Sequence, residues 1–191
     1  MTRYELLVFL HVSSAIVWLG AGATLGLIAI RALRSSDPLE GARVAQVSEW
    51  LAPRLFIPAS LATLVFGVLL VLDGPWSFGD LWVALGLAGY AASFVSGIAF
   101  IDPEAKRLHR AAAEHGPTSP QAMRHTRRVV LASRLELVVL FAVVSVMVAK
   151  PSVDDSVMLV GLGVAIAAAW ALILLASRSQ PAAVKSAPAA E

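Results

Sequence analysis

The stretch that decides the fold is YELLVFLHVSSAIVWLGAGATLGLIAI, residues 4–30. After Glu5, its only titratable side chain is His11. An apolar run longer than about 18 residues predicts a helix that spans a lipid bilayer. A histidine inside such a run is energetically costly, and we expect it to face protein or a cavity rather than lipid. The stretch therefore predicts a membrane-spanning first helix with one functional candidate inside it.

The helical period of this stretch separates a polar face from a lipid face. Opposite the imidazole, Phe9, Ile16 and Leu27 suit contact with lipid,. Gly22 and Gly26 form a GxxxG step at which another helix can approach closely,. The inward face combines the imidazole with a hydroxyl, an indole and small residues: His11, Ser14, Ala15, Trp18 and Gly22,.

The composition places the whole chain in the membrane class. Hydrophobic residues make up 58% and charged residues 15% of its 191 residues,. The formal net charge of +2 gives no indication of a nucleic-acid partner, and the absence of cysteine excludes disulfides and thiolate chemistry,. We expect one transmembrane domain over residues 1–179 and a disordered cytoplasmic tail over residues 180–191.

The pattern predicts an all-α, polytopic helical membrane bundle with five transmembrane helices. Short cytoplasmic helices are expected in the loops that follow the first and third spans. The small-residue ridges of the third and fifth spans allow close packing of a partner span, which leaves open a homo-oligomer or a partner membrane protein. The predicted spans are residues 4–30, 54–73, 81–101, 129–149 and 157–177.

The arginines and lysines predict the orientation in the bilayer. Of 15 such residues, twelve lie in the loops after the first and third spans and in the tail. Two lie on the other side, Arg3 and Lys150, and Arg134 lies inside a span. Because cytoplasmic loops carry an excess of basic residues, the N-terminus is predicted outside and the C-terminus inside a bacterial inner membrane.

His11 is the first candidate functional residue. It could ligate a haem iron or a copper ion, or transfer protons; the alternative is a neutral imidazole bonded to a hydroxyl or carbonyl of a neighbouring helix. Met147 and Met158 are expected at a similar depth, and imidazole with thioether is a suitable ligand set for Cu(I) or haem iron,. Methionine in a membrane helix also serves as packing material.

Arg134 and Glu136 are the second candidate, inside the fourth span. Residues two apart on a helix point to different sides, so the two charges cannot simply neutralise each other. Arg134 is expected to reach the inner headgroups or bond Asp102. Glu136 is expected to bond a hydroxyl such as Ser93 or Ser96. The pair is either a proton or ion relay or a structural polar clamp.

The opening helix resembles a known family. Its segment FLHVSSAIVWLGAG contains His11, Trp18 and Gly20 as a His-x6-Trp-x-Gly motif. It is similar to the domain-of-unknown-function 2269 family of predicted integral membrane proteins, and more distantly to CopD copper-resistance proteins and HemJ-type protoporphyrinogen oxidases. The HemJ resemblance implies haem b ligation by His11 together with an essential lysine in a later span.

The second to fifth spans of this chain contain neither lysine nor histidine, so an oxidase assignment does not carry over. Cofactor binding by His11, with haem b or copper, is therefore the leading functional hypothesis. The alternatives are a cofactor-free transporter or proton relay built on Arg134 and Glu136, and a structural or assembly subunit. No phosphate loop, nucleophile elbow or zinc motif assigns an enzymatic activity,.

The orientation is testable with reporter fusions at three positions. A fusion after Arg43 or after Arg110 should report the cytoplasm, and a fusion after Gly79 should report the outside, because the basic loops stay on the cytoplasmic side. Paired reporters that are active on opposite sides of the membrane measure this. The reverse pattern at two of the three positions contradicts the predicted orientation.

Overall fold

A computed structural model describes residues 1–35, 37 and 40–178. The predicted disordered tail, residues 180–191, lies outside the described residues. Within the described part the chain is helical and contains no strand. The α-helices are α1 (Arg3–Arg34), α2 (Glu40–Leu51), α3 (Ile57–Asp73), α4 (Leu81–Ser96), α5 (Asp102–His115), α6 (Pro120–Ala149) and α7 (Ser156–Arg178).

The five predicted spans are confirmed as helices long and apolar enough to cross a membrane. The second and third are longer than the sequence predicts, since each continues into a neighbouring loop helix. The orientation of the bundle, and with it the cytoplasmic placement of α2 and α5, stays a prediction. The five helical segments are Arg3–Ala32, Gln46–Asp73, Leu81–His115, Pro120–Ala149 and Ser156–Ser177.

Two π-helical turns make these longer helices continuous. One, Ala52–Phe56, joins α2 to α3, and the other, Gly97–Ile101, joins α4 to α5. Proline has no N–H to donate, so a helix that passes through Pro53 has to rearrange its hydrogen bonds. The helix widens by one residue there, and the Ile57 N–H donates to the carbonyl of Ala52. A π-turn thus lets the helix continue through Pro53.

The packing divides the spans into two pairs. Helix α1 packs mainly on α3, and α4 packs mainly on α6; α1 also contacts α6, and α7 lies along α6. The predicted lipid face of α1 points away from the other helices, since Phe9, Ile16 and Leu27 are 61%, 65% and 69% exposed. In a spanning helix such exposed apolar side chains are solvated by lipid.

Glycines set the distance between α4 and α6. The Met147 methyl group occupies the position that a Cβ on Gly86 would take, and Val143 does the same opposite Gly89. Small residues at these two positions allow the backbones to approach closely, which strengthens van der Waals packing in a bilayer. The small-residue ridge predicted for the third span is therefore used inside this chain.

An aromatic cluster joins four segments at the end of the bundle that carries the N-terminus. Lys150 lies with its Nζ 3.9 Å from the ring centre of Trp76 and 5.2 Å from that of Trp82. The Trp76 indole N–H donates to the Tyr4 hydroxyl at 3.2 Å. Cation–π contacts of this kind stabilise by about 0.5–2 kcal/mol. The cluster connects α1, α4, the end of α6 and the loop between α3 and α4.

A tight turn leads from α6 into α7. Lys150 adopts a left-handed backbone conformation with φ of 48°, directly before the fully buried Pro151. The Ser152 amide and hydroxyl donate to the Asp155 carboxylate at 2.8 and 2.9 Å. These two bonds, the amide's first, hold the pKa of Asp155 below its ordinary value. The turn thereby fixes where α7 begins.

The α4–α6 packing predicts the effect of adding one methyl group. Gly89→Ala should lower the free energy of unfolding by about 1–3 kcal/mol, because the stiff, β-branched Val143 cannot turn away from the new Cβ. Thermal unfolding in detergent micelles measures this. Gly89→Ala combined with Val143→Ala should recover much of the loss.

Gly163→Ala is the matched control, since a Cβ there meets nothing within 4 Å. It should leave stability unchanged or raise it by up to about 1 kcal/mol through helix propensity. Equal effects of Gly89→Ala and Gly163→Ala would contradict the close approach of α4 and α6.

Candidate functional site

The His11 imidazole lies between α1 and α3. Its Nδ1 is 2.9 Å from the carbonyl oxygen of Thr63. A carbonyl oxygen only accepts hydrogen bonds, so Nδ1 carries the proton and donates. In the neutral imidazole this leaves the lone pair on Nε2, which has no hydrogen-bond partner in the described part of the chain. The structure thus fixes the tautomer of His11.

The residues around His11 form a small polar network between the two helices. The Thr63 hydroxyl lies 3.1 Å from the Ser14 hydroxyl oxygen and 2.8 Å from the carbonyl oxygen of Ala59. Ser14 in turn donates to the carbonyl oxygen of His11 at 2.9 Å. The inward orientation that the helical period predicts for Ser14 and His11 is the one observed. Polar groups at this depth need such partners, because hydrocarbon supplies none.

Gly67 makes room for the imidazole. A Cβ at this position would lie 3.0 Å from His11 Cε1 and 3.2 Å from Nδ1. The ring edge therefore fills space that only glycine leaves open on α3. We refer to His11, Ser14, Thr63 and Gly67 together as the His11 site.

Glu136 is bonded to α4, the helix opposite its own. The Ser93 hydroxyl donates to Glu136 Oε1 at 2.7 Å, and Ser93 is buried. Ser93 is one of the two hydroxyls that the sequence predicts as partners. The two residues form the Glu136 site, which lies between α4 and α6, whereas the His11 site lies between α1 and α3.

Arg134 takes no part in the Glu136 site. No carboxylate of the described residues lies within ion-pair distance of its guanidinium group, and Asp102 pairs with Lys106 at 2.6 Å instead. The predicted bond from Arg134 to Asp102 is therefore not formed. The other expectation, that the Arg134 side chain reaches the inner headgroups, stays a prediction.

A model of the DUF2269 family, described as predicted integral membrane protein, matches residues 5–151. The chain belongs to the DUF2269 family. The family that the opening helix resembles is thus confirmed. No curated protein and no solved structure matches the chain.

The family match, together with the five apolar helices, identifies a multi-pass integral membrane protein. The matched part of this DUF2269 protein extends from the start of α1 to the turn after α6. It includes the His11 and Glu136 sites and Met147. Met158, on α7, lies beyond it.

The two methionines have different surroundings in the DUF2269 protein. The Met147 thioether packs against Gly86, with its sulfur 3.5 Å from the position of a Cβ there. Met158 is partly exposed on α7, and α7 packs mainly on α6. These contacts are packing contacts, so a shared site of either thioether with His11 stays a prediction.

An aromatic pair, which sequence reasoning missed, joins α1 to α4. The rings of Trp18 on α1 and Tyr90 on α4 meet edge to face with centres 5.6 Å apart. The Tyr90 hydroxyl is enclosed and makes no hydrogen bond to the described residues. The sequence contains one indication of this contact. Tyr90 is three residues before Ser93, so the two side chains lie on the same face of α4.

The described residues limit which cofactors the DUF2269 protein can hold. No group of three or more histidines and carboxylates lies close enough together there to bind a metal ion. One open groove is lined by Leu27, Ile30, Arg31, Ser35 and Glu40. Leu27 is 16 residues after His11, or about 24 Å along α1. A cofactor at His11 would therefore depend on the imidazole and not on a carboxylate cluster.

The Glu136 site predicts a difference between two substitutions. Glu136→Gln should leave the free energy of unfolding within about 0.5 kcal/mol of the native value, because the amide keeps an oxygen for Ser93. Ser93→Ala should lower it by about 0.5–2 kcal/mol, since the bond between α4 and α6 is lost. Thermal unfolding in one detergent compares the two variants.

Ser145→Ala controls for the loss of a serine hydroxyl, because Ser145 bonds only within its own helix, to the carbonyl of Phe141 at 2.9 Å. If Glu136→Gln destabilises more than Ser93→Ala, the ionised carboxylate is structural and the clamp depends on a cation.

Proposed function

We propose that this protein of the bacterial inner membrane binds haem b or a copper ion through His11, with its N-terminus outside and its C-terminus inside. The observation that carries the proposal is the hydrogen bond from His11 Nδ1 to the Thr63 carbonyl. Metal-ligating histidines generally donate their second ring N–H to a carbonyl or carboxylate, which orients the ring and strengthens the ligand nitrogen. His11 has this arrangement.

His11 is the residue that would hold the metal or the haem iron. Gly67 and Thr63 fix the ring on one side, so Nε2 is the nitrogen left for a metal. When bound, haem b or copper would supply one-electron chemistry inside the membrane. What the chain contributes is an imidazole whose Nδ1 donates to the Thr63 carbonyl, which orients the ring between α1 and α3.

Met147 and Met158 are the proposed additional ligands if the metal is copper. Thioether sulfur favours Cu(I), and no cysteine or second membrane histidine competes for that role,. Met147 would have to turn away from Gly86, against which it now packs. Haem b, which His11 could ligate alone, does not depend on Met147.

A cofactor-free relay is the second candidate, and the Glu136 site favours it. Glu136 is an ionisable group within a span and is bonded to a neutral hydroxyl rather than a cation. Intramembrane carboxylates in such positions mark proton pathways in pumps and transporters. With Arg134 free of carboxylate partners in the described chain, the two residues would act separately in such a relay.

The cofactor proposal is tested by purification of the full chain from a membrane that supplies haem and copper. A Soret absorption band or close to one copper per chain is expected. His11→Ala should lose at least about nine-tenths of that content while the variant still inserts, because the proposed metal–nitrogen bond is lost. Gly67→Ala should lower retention as well, since its Cβ displaces the ring.

His115→Ala is the matched control, a histidine at the C-terminal end of α5 and beyond the predicted third span, residues 81–101. It should keep the full cofactor content. Cofactor content that is equal in the native protein and His11→Ala excludes His11 as an essential ligand. Native protein without haem and copper, but with proton flux that Glu136→Gln abolishes, would establish the relay in its place.

A further inference from the structure

A group of arginines lies where α5 packs against the start of α6. Five arginines lie on α5 and on the first turns of α6, and all five are exposed on the protein surface. We call them the α5–α6 arginine surface. They are Arg107, Arg110, Arg124, Arg127 and Arg128.

A single carboxylate lies within ion-pair distance of this surface in the described chain. Glu104 accepts hydrogen bonds from Arg107 and from His125 at 2.6 Å each, and Arg128 is 3.5 Å away. The Glu104 side chain is only 15% exposed, so its carboxylate oxygens accept hydrogen bonds mainly from these partners. Glu104 therefore pairs with two of the five arginines.

The arginines that Glu104 does not reach are Arg110, Arg124 and Arg127. All three are exposed, and none makes a hydrogen bond or an ion pair with the described residues. Arg124 and Arg127 are three residues apart on α6, so their side chains are neighbours on one helix face. Like charges at that spacing repel and destabilise the helix slightly unless an anion lies between them.

The depth of these arginines matches the lipid headgroups. From Ala149, at the outer end of α6, Arg127 is 22 residues away, or about 33 Å along the helix, and Arg124 is about 38 Å away. The hydrocarbon core is about 30 Å thick, and headgroups extend the bilayer to about 40–45 Å. At the opposite end of the bundle, Trp76 and Trp82 are in contact. Tryptophan is enriched where a membrane meets water, so this end matches the other membrane–water interface.

We propose that the α5–α6 arginine surface binds the phosphate of an anionic phospholipid headgroup. The unpaired guanidinium groups lie at headgroup depth, where a phosphodiester can accept two hydrogen bonds from each arginine. A lipid fits better than a soluble anion, because the apolar part of α6 begins at residue 129 and continues directly from the arginines into the acyl-chain region.

The test measures lipid binding to the full chain by native mass spectrometry in detergent. Phosphatidylglycerol and phosphatidylcholine are titrated separately. The native protein should retain phosphatidylglycerol at lower concentrations than phosphatidylcholine. Arg124→Gln with Arg127→Gln should weaken phosphatidylglycerol binding about thirty-fold, or about fivefold per arginine, and should leave phosphatidylcholine binding unchanged.

Arg31→Gln with Arg43→Gln is the matched control, because it removes the same charge from arginines that already have carboxylate partners. Arg31 lies 3.7 Å from Glu40, and Arg43 lies 3.1 Å from Asp37. The control should bind phosphatidylglycerol within about twofold of the native protein. An equal loss in both double variants would overturn the proposal, since it would reflect net charge alone.

Two further results would also overturn it. One is equal affinity of the native protein for the two lipids. The other is complete displacement of phosphatidylglycerol by millimolar inorganic phosphate, which would indicate a site for a soluble anion. If the double variant does not fold, Arg127→Gln alone should weaken binding about fivefold, and unchanged binding in that variant rejects the lipid site.

Discussion

A polar group inside a lipid bilayer has to find its hydrogen-bond partner within the protein, and this constraint organises the helix packing. His11 meets it through the Thr63 carbonyl, and Glu136 meets it through the Ser93 hydroxyl. Each bond joins two different spans, and each coincides with one of the two main helix pairs. The polar contacts thus specify which helices pair, whereas small residues determine how close they come.

The sequence was sufficient for the features that depend on local pattern. Hydropathy alone locates all five spans, and the helical period identifies the lipid face of α1 from Phe9, Ile16 and Leu27. Ser93 could be anticipated as a partner of Glu136, because counting residues from the span ends places both at one depth. The class of partner for His11 was also foreseen, a hydroxyl or carbonyl, but Thr63 itself was not.

What the sequence could not show are contacts between segments far apart in the chain. The position of Lys150 against Trp76 and Trp82 depends on how the end of α6 packs on the loop after α3. No local sequence pattern predicts that packing. Pro53 predicts a bend, yet the helix continues, because a π-turn accommodates the missing donor within a helix that is packed on its neighbours,. In both cases tertiary packing determines the outcome.

The separation of the two polar sites bears on how function can be assigned. The His11 site belongs to the α1–α3 pair and the Glu136 site to the α4–α6 pair, with Trp18 and Tyr90 in contact between the pairs. A substitution in one site therefore leaves the hydrogen bonds of the other intact, and effects at distant sites without shared partners are usually additive. If cofactor retention follows His11 while proton movement follows Glu136, the two activities are independent. If both respond to either substitution, the Trp18–Tyr90 contact and the packing of α1 on α6 are direct connections through which the pairs can influence each other.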